Sequence, residues 1–275
     1  MTDKSVPNGA NQNQNENDVF LWREDSTRPA GFRRTLKIGR REYGFRWIPA
    51  GEFKMGCPES ERMAASDASR EDGYDFTFYE ETPQRDVTLT RGFWASETPV
   101  TQRLFKEVMK FNPSVLHKNG DLPAVFVSHV YALRFCRWLT KRLPSGLKAT
   151  LPTEAQWEYA CRAGTTTAYN WGDHWDEDKA NVGSHMPTPV AKYAPNAWGL
   201  YDMHGNVWEW TLDWSDDYPS GAAVDPTGPE RGKYRSIRGG SCNNYPCEVR
   251  SASRFVEEER YGNYNIGFRV LLTCE

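Results

Sequence analysis

Apolar and polar positions alternate in the first part of the chain, and this alternation predicts strands. Phe45 and Trp47 flank Arg46, and Gly39 and Gly44 break the stretch that begins near residue 33. Short alternation interrupted by glycine is typical of two strands joined by a turn. Residues 57–83 are instead polar and acidic, and we expect a long surface loop there.

Helical spacing appears in the middle of the chain. The first helix is predicted to begin near Thr101 and the second near Ser128, each followed by apolar residues at helical intervals. The third begins at Thr153, where Gln156 three residues later forms a capping box and Gly164 can end the helix. We therefore expect three short helices between residues 101 and 164.

The pattern changes after residue 164. Gly, Asn, Pro and Trp become frequent and helical stripes stop, so we expect loops held by a few short strands, with candidates at 234–238 and 267–272. Strands, then helices, then irregular structure predict a single α+β domain over residues 19–275.

Composition supports one folded domain behind a polar tether. Aromatic residues make up 13% of the chain, which excludes a wholly disordered protein. Residues 1–18 are almost wholly polar and cannot bury enough apolar surface to fold, so we predict a disordered tether there. The net charge of −3 gives no basic excess for nucleic acid, and no run reaches the ~18 apolar residues of a membrane span. We expect a monomer.

Six strings along the chain carry a family resemblance. They are GEFKMG at 51–56, ETPVTQ at 97–102, LPTEAQWEYACRAG at 151–164, NAWGLYDMHGNVWEW at 196–210, RGGS at 238–241 and NIGFRV at 265–270. In this order they resemble the formylglycine-generating-enzyme family, also called the sulfatase-modifying-factor domain. The resemblance implies an elaborated C-type-lectin fold, with small antiparallel sheets, few short helices and much irregular structure.

That family includes copper-dependent oxidases, iron-dependent sulfoxide synthases and non-enzymatic binding proteins, so the site must indicate the function. The iron enzymes use a histidine triad. The five histidines of this chain have no i, i+3 or i, i+4 pairing that prepares a metal site. We therefore set iron chemistry aside.

The oxidase alternative depends on Cys242 and Cys247, which stand in a Cys-x4-Cys arrangement directly after Gly-Gly-Ser. Formylglycine formation uses two thiolates that bind copper(I), because soft sulfur selects a soft metal. In the enzymes two residues separate Gly-Gly-Ser from the first cysteine, and here none does. A copper-dependent oxidase that converts a substrate cysteine to formylglycine is therefore the alternative function rather than the favoured one.

The end of the chain resembles another branch, the variable proteins of diversity-generating retroelements. There, Gly-Gly-Ser is followed by Asn-rich positions, an Arg-Ser-Ala-x-Arg core and a closing Asn-Ile-Gly-Phe-Arg, and adenines of Asn codons are randomised. Over about residues 235–272, the positions here that such codons can reach are predicted to bind a ligand: Cys242, Asn244, Tyr245, Cys247, Phe255, Tyr261, Asn263 and Tyr264. Glu248 and residues 257–259 cannot arise in this way and must be fixed.

This segment also has the composition of a binding surface. Tyr and Phe offer large contact area with few rotatable bonds, and Asn, Ser and Gly offer adaptable hydrogen bonds. We expect the ligand-binding positions on one exposed face, whereas Trp208, Trp210, Ile266 and Phe268 are predicted to be core. The alternative is that the aromatic members of the face pack into the core.

The resemblance also implies a structural calcium site. In the enzymes the positions matching Asp202 and Glu209 hold the ion, with backbone carbonyls near Gly205 and Val207. Hard oxygen ligands from a tight turn suit calcium. The alternative is that both carboxylates accept hydrogen bonds from the loop itself.

The favoured interpretation is a non-catalytic binding protein that requires no cofactor. Its partner is expected to be a protein displayed on another surface, and not a nucleic acid. The resemblance further implies a lipid-anchored protein at the cell surface, with the tether following a lipidated cysteine that this sequence does not contain.

Overall fold

A computed structural model describes Trp22 and residues 27–274 of the chain. The tether predicted for residues 1–18 lies outside the described residues. Among the residues that are described, no helix has the length and apolar character needed to cross a membrane.

A five-stranded antiparallel sheet is the base of the fold. In spatial order its strands are β1 (Arg33–Ile38), β2 (Arg41–Ile48), β5 (Phe93–Ser96), β12 (Leu271–Cys274) and β6 (Leu147–Thr150). The predicted strand pair is confirmed as β1 and β2, with Leu36 opposite Tyr43. Phe45 and Trp47 on β2 are 1% and 2% exposed, so the alternating side chains do enter the core.

Two smaller sheets complete the α+β fold. One contains β10 (Arg254–Glu257), β9 (Arg235–Arg238), β7 (Trp208–Trp214) and β11 (Ile266–Gly267), and the other contains β3 (Gly51–Met55), β4 (Arg85–Leu89) and β8 (Ala223–Val224). The β7–β11 and β4–β8 pairs are parallel, and the other pairings are antiparallel. The strand predicted at 234–238 is confirmed as β9. The one predicted at 267–272 is two strands, since β11 ends at Gly267 and β12 begins at Leu271.

The long surface loop predicted at 57–83 is wrong in its first half, where helix α1 (Glu59–Glu71) forms. Its buried residues are Arg62, Ala65, Ser66 and Ser69, which follow the i, i+3, i+4, i+7 rule. Because this stripe is made of small and polar residues, apolar periodicity does not reveal it.

The three predicted helices are confirmed. They are α2 (Gln102–Met109), α3 (His129–Thr140) and α4 (Glu154–Arg162). Thr101, Ser128 and Thr153 each precede a helix, and the side-chain oxygen of each accepts a hydrogen bond from an amide in the first turn. The capping box is complete, because Gln156 Oε1 also accepts from the Thr153 amide at 2.9 Å. Helix α4 ends at Arg162, two residues before Gly164, and Ala163 between them adopts a left-handed conformation with φ 47°.

The predicted core residues are confirmed. Trp208, Trp210, Ile266 and Phe268 are at most 6% exposed. Phe268 packs against Phe135 of α3, with ring centroids 5.2 Å apart, and this contact joins the C-terminal segment to the helices.

Candidate functional site

The predicted variable segment leaves β9 through two glycines. Gly239 and Gly240 have φ angles of 91° and 71°, in the region that favours glycine. A Cβ on Gly240 would lie 2.3 Å from Val249 Cγ1, and one on Gly239 would lie 2.8 Å from the Trp157 ring. The chain must therefore turn here without side chains, and the following loop lies directly on the core.

Buried arginines hold the segment in place. Arg250 donates from Nη1 to Glu61 at 2.8 Å and from Nη2 to Glu81 at 2.7 Å, which ties the loop to α1. Arg254 donates to both carboxylate oxygens of Glu154, at 2.7 and 2.9 Å. Paired two-point contacts of this kind fix orientation as well as position. The Arg-Ser-Ala-x-Arg core is thus scaffold rather than surface.

The loop between the glycines and Arg250 is held by its own side chains. Asn244 Oδ1 accepts from the Ser241 amide at 3.0 Å and the Ser241 hydroxyl at 2.6 Å, while Asn244 Nδ2 donates to Glu248 Oε1 at 2.8 Å. Glu248 Oε2 in turn accepts from the Tyr245 amide at 2.9 Å. The side-chain amide of Asn244 therefore forms its hydrogen bonds inside the loop and is not available to a ligand. Glu248 holds the same loop, which explains why this position must be constant.

The expectation that both cysteines lie on the exposed face is wrong. Cys242 is 0% and Cys247 is 5% exposed. Cys247 packs with Ala65 of α1 and Phe78, which the sequence pattern left in a surface loop. Burial raises the pKa of the Cys242 thiol to about 12 and that of Cys247 to about 11. Burial thus disfavours the thiolate form of both side chains, which is the form that binds copper(I).

The aromatic members of the predicted face remain at the surface. Phe255 is 55% exposed and Tyr261 is 44% exposed, while Tyr245 is half-buried. Phe255 leans on the buried Trp208, with ring centroids 5.9 Å apart. The alternative that these aromatic side chains form core does not hold for Phe255 and Tyr261.

Tyr245 meets an aromatic segment that sequence reasoning missed. Its hydroxyl lies 2.5 Å from that of Tyr74, and their ring centroids are 4.7 Å apart. Phe76 stacks on Tyr74 at 5.4 Å and contacts the same cluster as Phe78. The alternating aromatic residues of GYDFTFY could have indicated this segment from the sequence. Its contact with the C-terminal loop, however, depends on the tertiary fold.

Asn263 and Tyr264 lie beside the segment around Phe126, and Asn263 Nδ2 donates to the Tyr261 hydroxyl at 3.2 Å. Asn263 accepts from the Phe126 amide through its backbone oxygen and from the Tyr264 amide through Oδ1, both at 2.8 Å. Tyr264 is half-buried and lines a small cleft with Leu116 and Met186, away from the residues that surround Phe255. The predicted face is wrong for the two buried cysteines, and that the remaining positions form one contiguous face stays a prediction.

The predicted calcium ligands interact with the protein itself. Glu209 is fully buried, accepts from Trp157 Nε1 at 2.7 Å and forms a two-point ion pair with Arg269, at 2.6 and 2.8 Å. Asp202 accepts from the Ala191 amide at 2.8 Å. Calcium needs six to eight oxygen ligands, and the Arg269 charge already neutralises Glu209. As arranged here the two residues do not fit the ion, and no cluster of three or more metal-binding side chains occurs in the described part of the chain.

The site and fold can now be set beside known proteins. The sulfatase-modifying factor enzyme 1-like domain matches residues 37–274. The chain belongs to this family. It is 31% identical over 253 residues to the serine/threonine-protein kinase Pkn1 of Chlamydia trachomatis, covering 81% of this chain and 37% of that protein. It is 38% identical over 169 residues to the formylglycine-generating enzyme of Streptomyces coelicolor, covering 54% of this chain and 51% of the enzyme. The chain thus spans about half the length of that enzyme and about a third of the kinase.

A solved structure supports the fold of this family member. Treponema denticola variable protein 1 superposes with a TM-score of 0.74 at 24% identity, covering 88% of this chain and 98% of that one. The predicted C-type-lectin-type fold is therefore confirmed. The family includes enzymes, and the fold by itself assigns neither catalysis nor binding.

Proposed function

We propose that the chain is a non-catalytic, ligand-binding variable protein of a diversity-generating retroelement. The observation that carries this proposal is the contrast within about residues 235–272. Arg250 and Arg254 are buried in ion pairs, whereas Phe255 and Tyr261 are 55% and 44% exposed. Two arginines of the constant core thus hold the scaffold, and Phe255 and Tyr261, which an Asn codon can become, lie outside it. The reachable Cys242 and Cys247 are exceptions, because both are buried.

The exposed aromatic residues suit recognition of another protein. Tyr and Phe side chains dominate contact energy when they form a packed centre surrounded by polar groups. Tyr245 with Tyr74, and Phe255 with Trp208, form such supported aromatic pairs. The partner is a protein displayed on another surface, and this chain is itself lipid-anchored at a cell surface.

The second candidate is a copper-dependent formylglycine-generating oxidase. The similarity to the Streptomyces coelicolor enzyme and the Cys-x4-Cys arrangement favour it. Burial of Cys242 and Cys247, with raised thiol pKa values, argues against it. We therefore prefer the binding function.

The gene itself tests the main proposal. We expect a reverse-transcriptase gene beside it, and a near-identical adenine-rich template of its last part. Across sister isolates, substitutions should concentrate at Tyr245, Phe255 and Tyr261 and spare Arg250 and Arg254. Substitutions spread evenly along the chain, without a template, would contradict the proposal.

Copper binding separates the two functions. The reduced protein should take up no copper(I) in competition with a chromogenic chelator, and Cys242→Ser with Cys247→Ser should leave that result unchanged. Cys136→Ser is the matched control, because that cysteine is equally buried and lies in α3. Stoichiometric copper uptake that either of the first two substitutions abolishes would favour the oxidase.

A further inference from the structure

An aromatic cavity opens beside the predicted variable loop. Its volume is about 230 Å³, and its aromatic lining consists of Phe76, Phe78, Trp208 and Phe255. Pockets for whole small molecules usually measure about 300 Å³ or more. This cavity is therefore of a size for one side chain rather than for a complete ligand.

Acidic residues line the same cavity. Asp75, Glu80, Glu81 and Glu248 all contribute to its wall. Arg254 also lines it, but both of its guanidinium edges are already used, two bonds going to Glu154 and others to backbone oxygens. The cavity thus combines aromatic faces with an excess of negative charge.

Asp75 is paired with Arg70 at 3.1 Å, but Glu248 and Glu81 are not fully compensated within the described residues. Glu248 accepts from the neutral donors Asn244 and Tyr245, without an ion pair in the described residues. Glu81 shares the single charge of Arg250 with Glu61. One guanidinium thus serves two acids.

Glu81 has an unpartnered side-chain oxygen beside the cavity. Its side chain is fully buried, and Oε1 accepts from Arg250. Oε2 has no hydrogen-bond partner by geometry among the described residues, and its neighbour Cys57 offers only a weak thiol donor. A buried carboxylate oxygen without a strong donor is costly, and because Oε2 is shielded from solvent a cation in the cavity would act on it through its charge rather than through a direct hydrogen bond.

Aromatic rings in this region already bind cations. The guanidinium of Arg250 lies 4.8 Å from the centroid of Phe78, and that of Arg62 lies 4.2 Å from the centroid of Tyr79. The negative face of an aromatic ring attracts a cation, and more strongly where water is excluded. Rings and carboxylates around one cavity therefore favour the same kind of occupant.

We propose that this cavity receives a basic side chain, Lys or Arg, of the partner protein. The inference rests on the proposed binding function and adds the chemistry that the face recognises. Glu248, which an Asn codon cannot produce, would keep the preference for a cation constant. Phe255, which lies in the reachable set, would vary the fit.

The test uses the whole chain labelled with 5-fluorotryptophan. The chloride salts of n-butylguanidinium and n-butylammonium are the probes, and they represent the side chains of Arg and Lys. Fluorine NMR reports on Trp208, whose resonance is assigned by Trp208→Phe. Butanol and sodium butyrate at equal ionic strength are the neutral and anionic controls. We expect a saturable shift of the Trp208 signal with the two cations and not with the controls.

Variants locate the binding. Phe255→Ser should weaken cation binding about fivefold, equivalent to about 1 kcal/mol for one cation–aromatic contact. Glu80→Gln should weaken it about threefold, because one carboxylate near the cation is lost. Tyr131→Ser and Glu230→Gln, which alter an exposed aromatic and an exposed acid outside the cavity lining, should leave it unchanged.

The outcomes also separate this inference from the proposed function. Shifts no larger than those with butanol, or cation binding that is unaffected by Phe255→Ser and Glu80→Gln, would overturn the inference. Neither result would affect the proposed binding function, because the distribution of substitutions across isolates tests that function independently. Conversely, if the protein binds the cations saturably but its gene has no adjacent template, the inference about the cavity stands and the variable-protein proposal is rejected.

Discussion

Truncating Phe255 should cost far less stability than truncating Phe268, although both are phenylalanines of the C-terminal segment. Phe255 is 55% exposed, so less than half of its side chain leaves water on folding. Full burial of such a side chain stabilises by ~1.5–3 kcal/mol, so Phe255→Ala should cost about 1 kcal/mol. Phe268 is 0% exposed and packs against Phe105 and Phe135, so Phe268→Ala should cost about 3–5 kcal/mol.

The assay is urea unfolding of both variants, followed by intrinsic fluorescence and by circular dichroism. In a domain of this size about 1 kcal/mol shifts the Tm by ~2–4 °C, so the two variants should also separate clearly in a thermal melt. Tyr261→Ala is a second test at an exposed residue of the face, and it should behave like Phe255→Ala. If Phe255→Ala costs as much as Phe268→Ala, then Phe255 is a core residue, and the binding face as described here does not exist.

Three further predictions concern buried charge. Chelation with EDTA should leave the Tm unchanged, because Arg269 already neutralises Glu209. A decrease in Tm that added calcium reverses would show that the ion binds. Glu209→Gln should lower the free energy of unfolding by about 3–5 kcal/mol, since it leaves the buried Arg269 without its partner; a loss below about 1 kcal/mol in urea unfolding would contradict this. Burial raises the pKa of Asp213 to about 7, above its unfolded value of ~3.9, so this group's stabilisation is lost as the pH rises from about 4 to 7. Asp213→Asn should therefore have a higher Tm than the wild type at pH 8 but not at pH 4. An equal difference in Tm at both pH values would refute the raised pKa of Asp213.

Local signals predicted the helices well. The caps Thr101, Ser128 and Thr153 act within one helical turn, so the residues that satisfy them are neighbours in sequence. Helix α1 escaped because its buried stripe contains Arg62 and small residues, which carry no apolar period. The prediction thus failed where the buried side of a helix is polar.

Long-range partners could not be predicted in the same way. Tyr74 and Tyr245 are 171 residues apart in sequence, yet their hydroxyls lie 2.5 Å apart. Glu209 and Arg269 are 60 residues apart, and they form a buried two-point ion pair. Nothing near either residue in sequence indicates its partner, because the path of the chain between them sets the contact.

The sequence by itself therefore determined the family, the α+β class and the starts of α2, α3 and α4, because these depend on motifs and on contacts within a few residues. Only the tertiary structure decided that Cys242 and Cys247 are buried while Phe255 stays exposed. All three residues lie in one short segment, and burial depends on what other segments cover. Helix α1 and the aromatic residues that follow it cover Cys247 and leave the ring of Phe255 at the mouth of the acidic cavity.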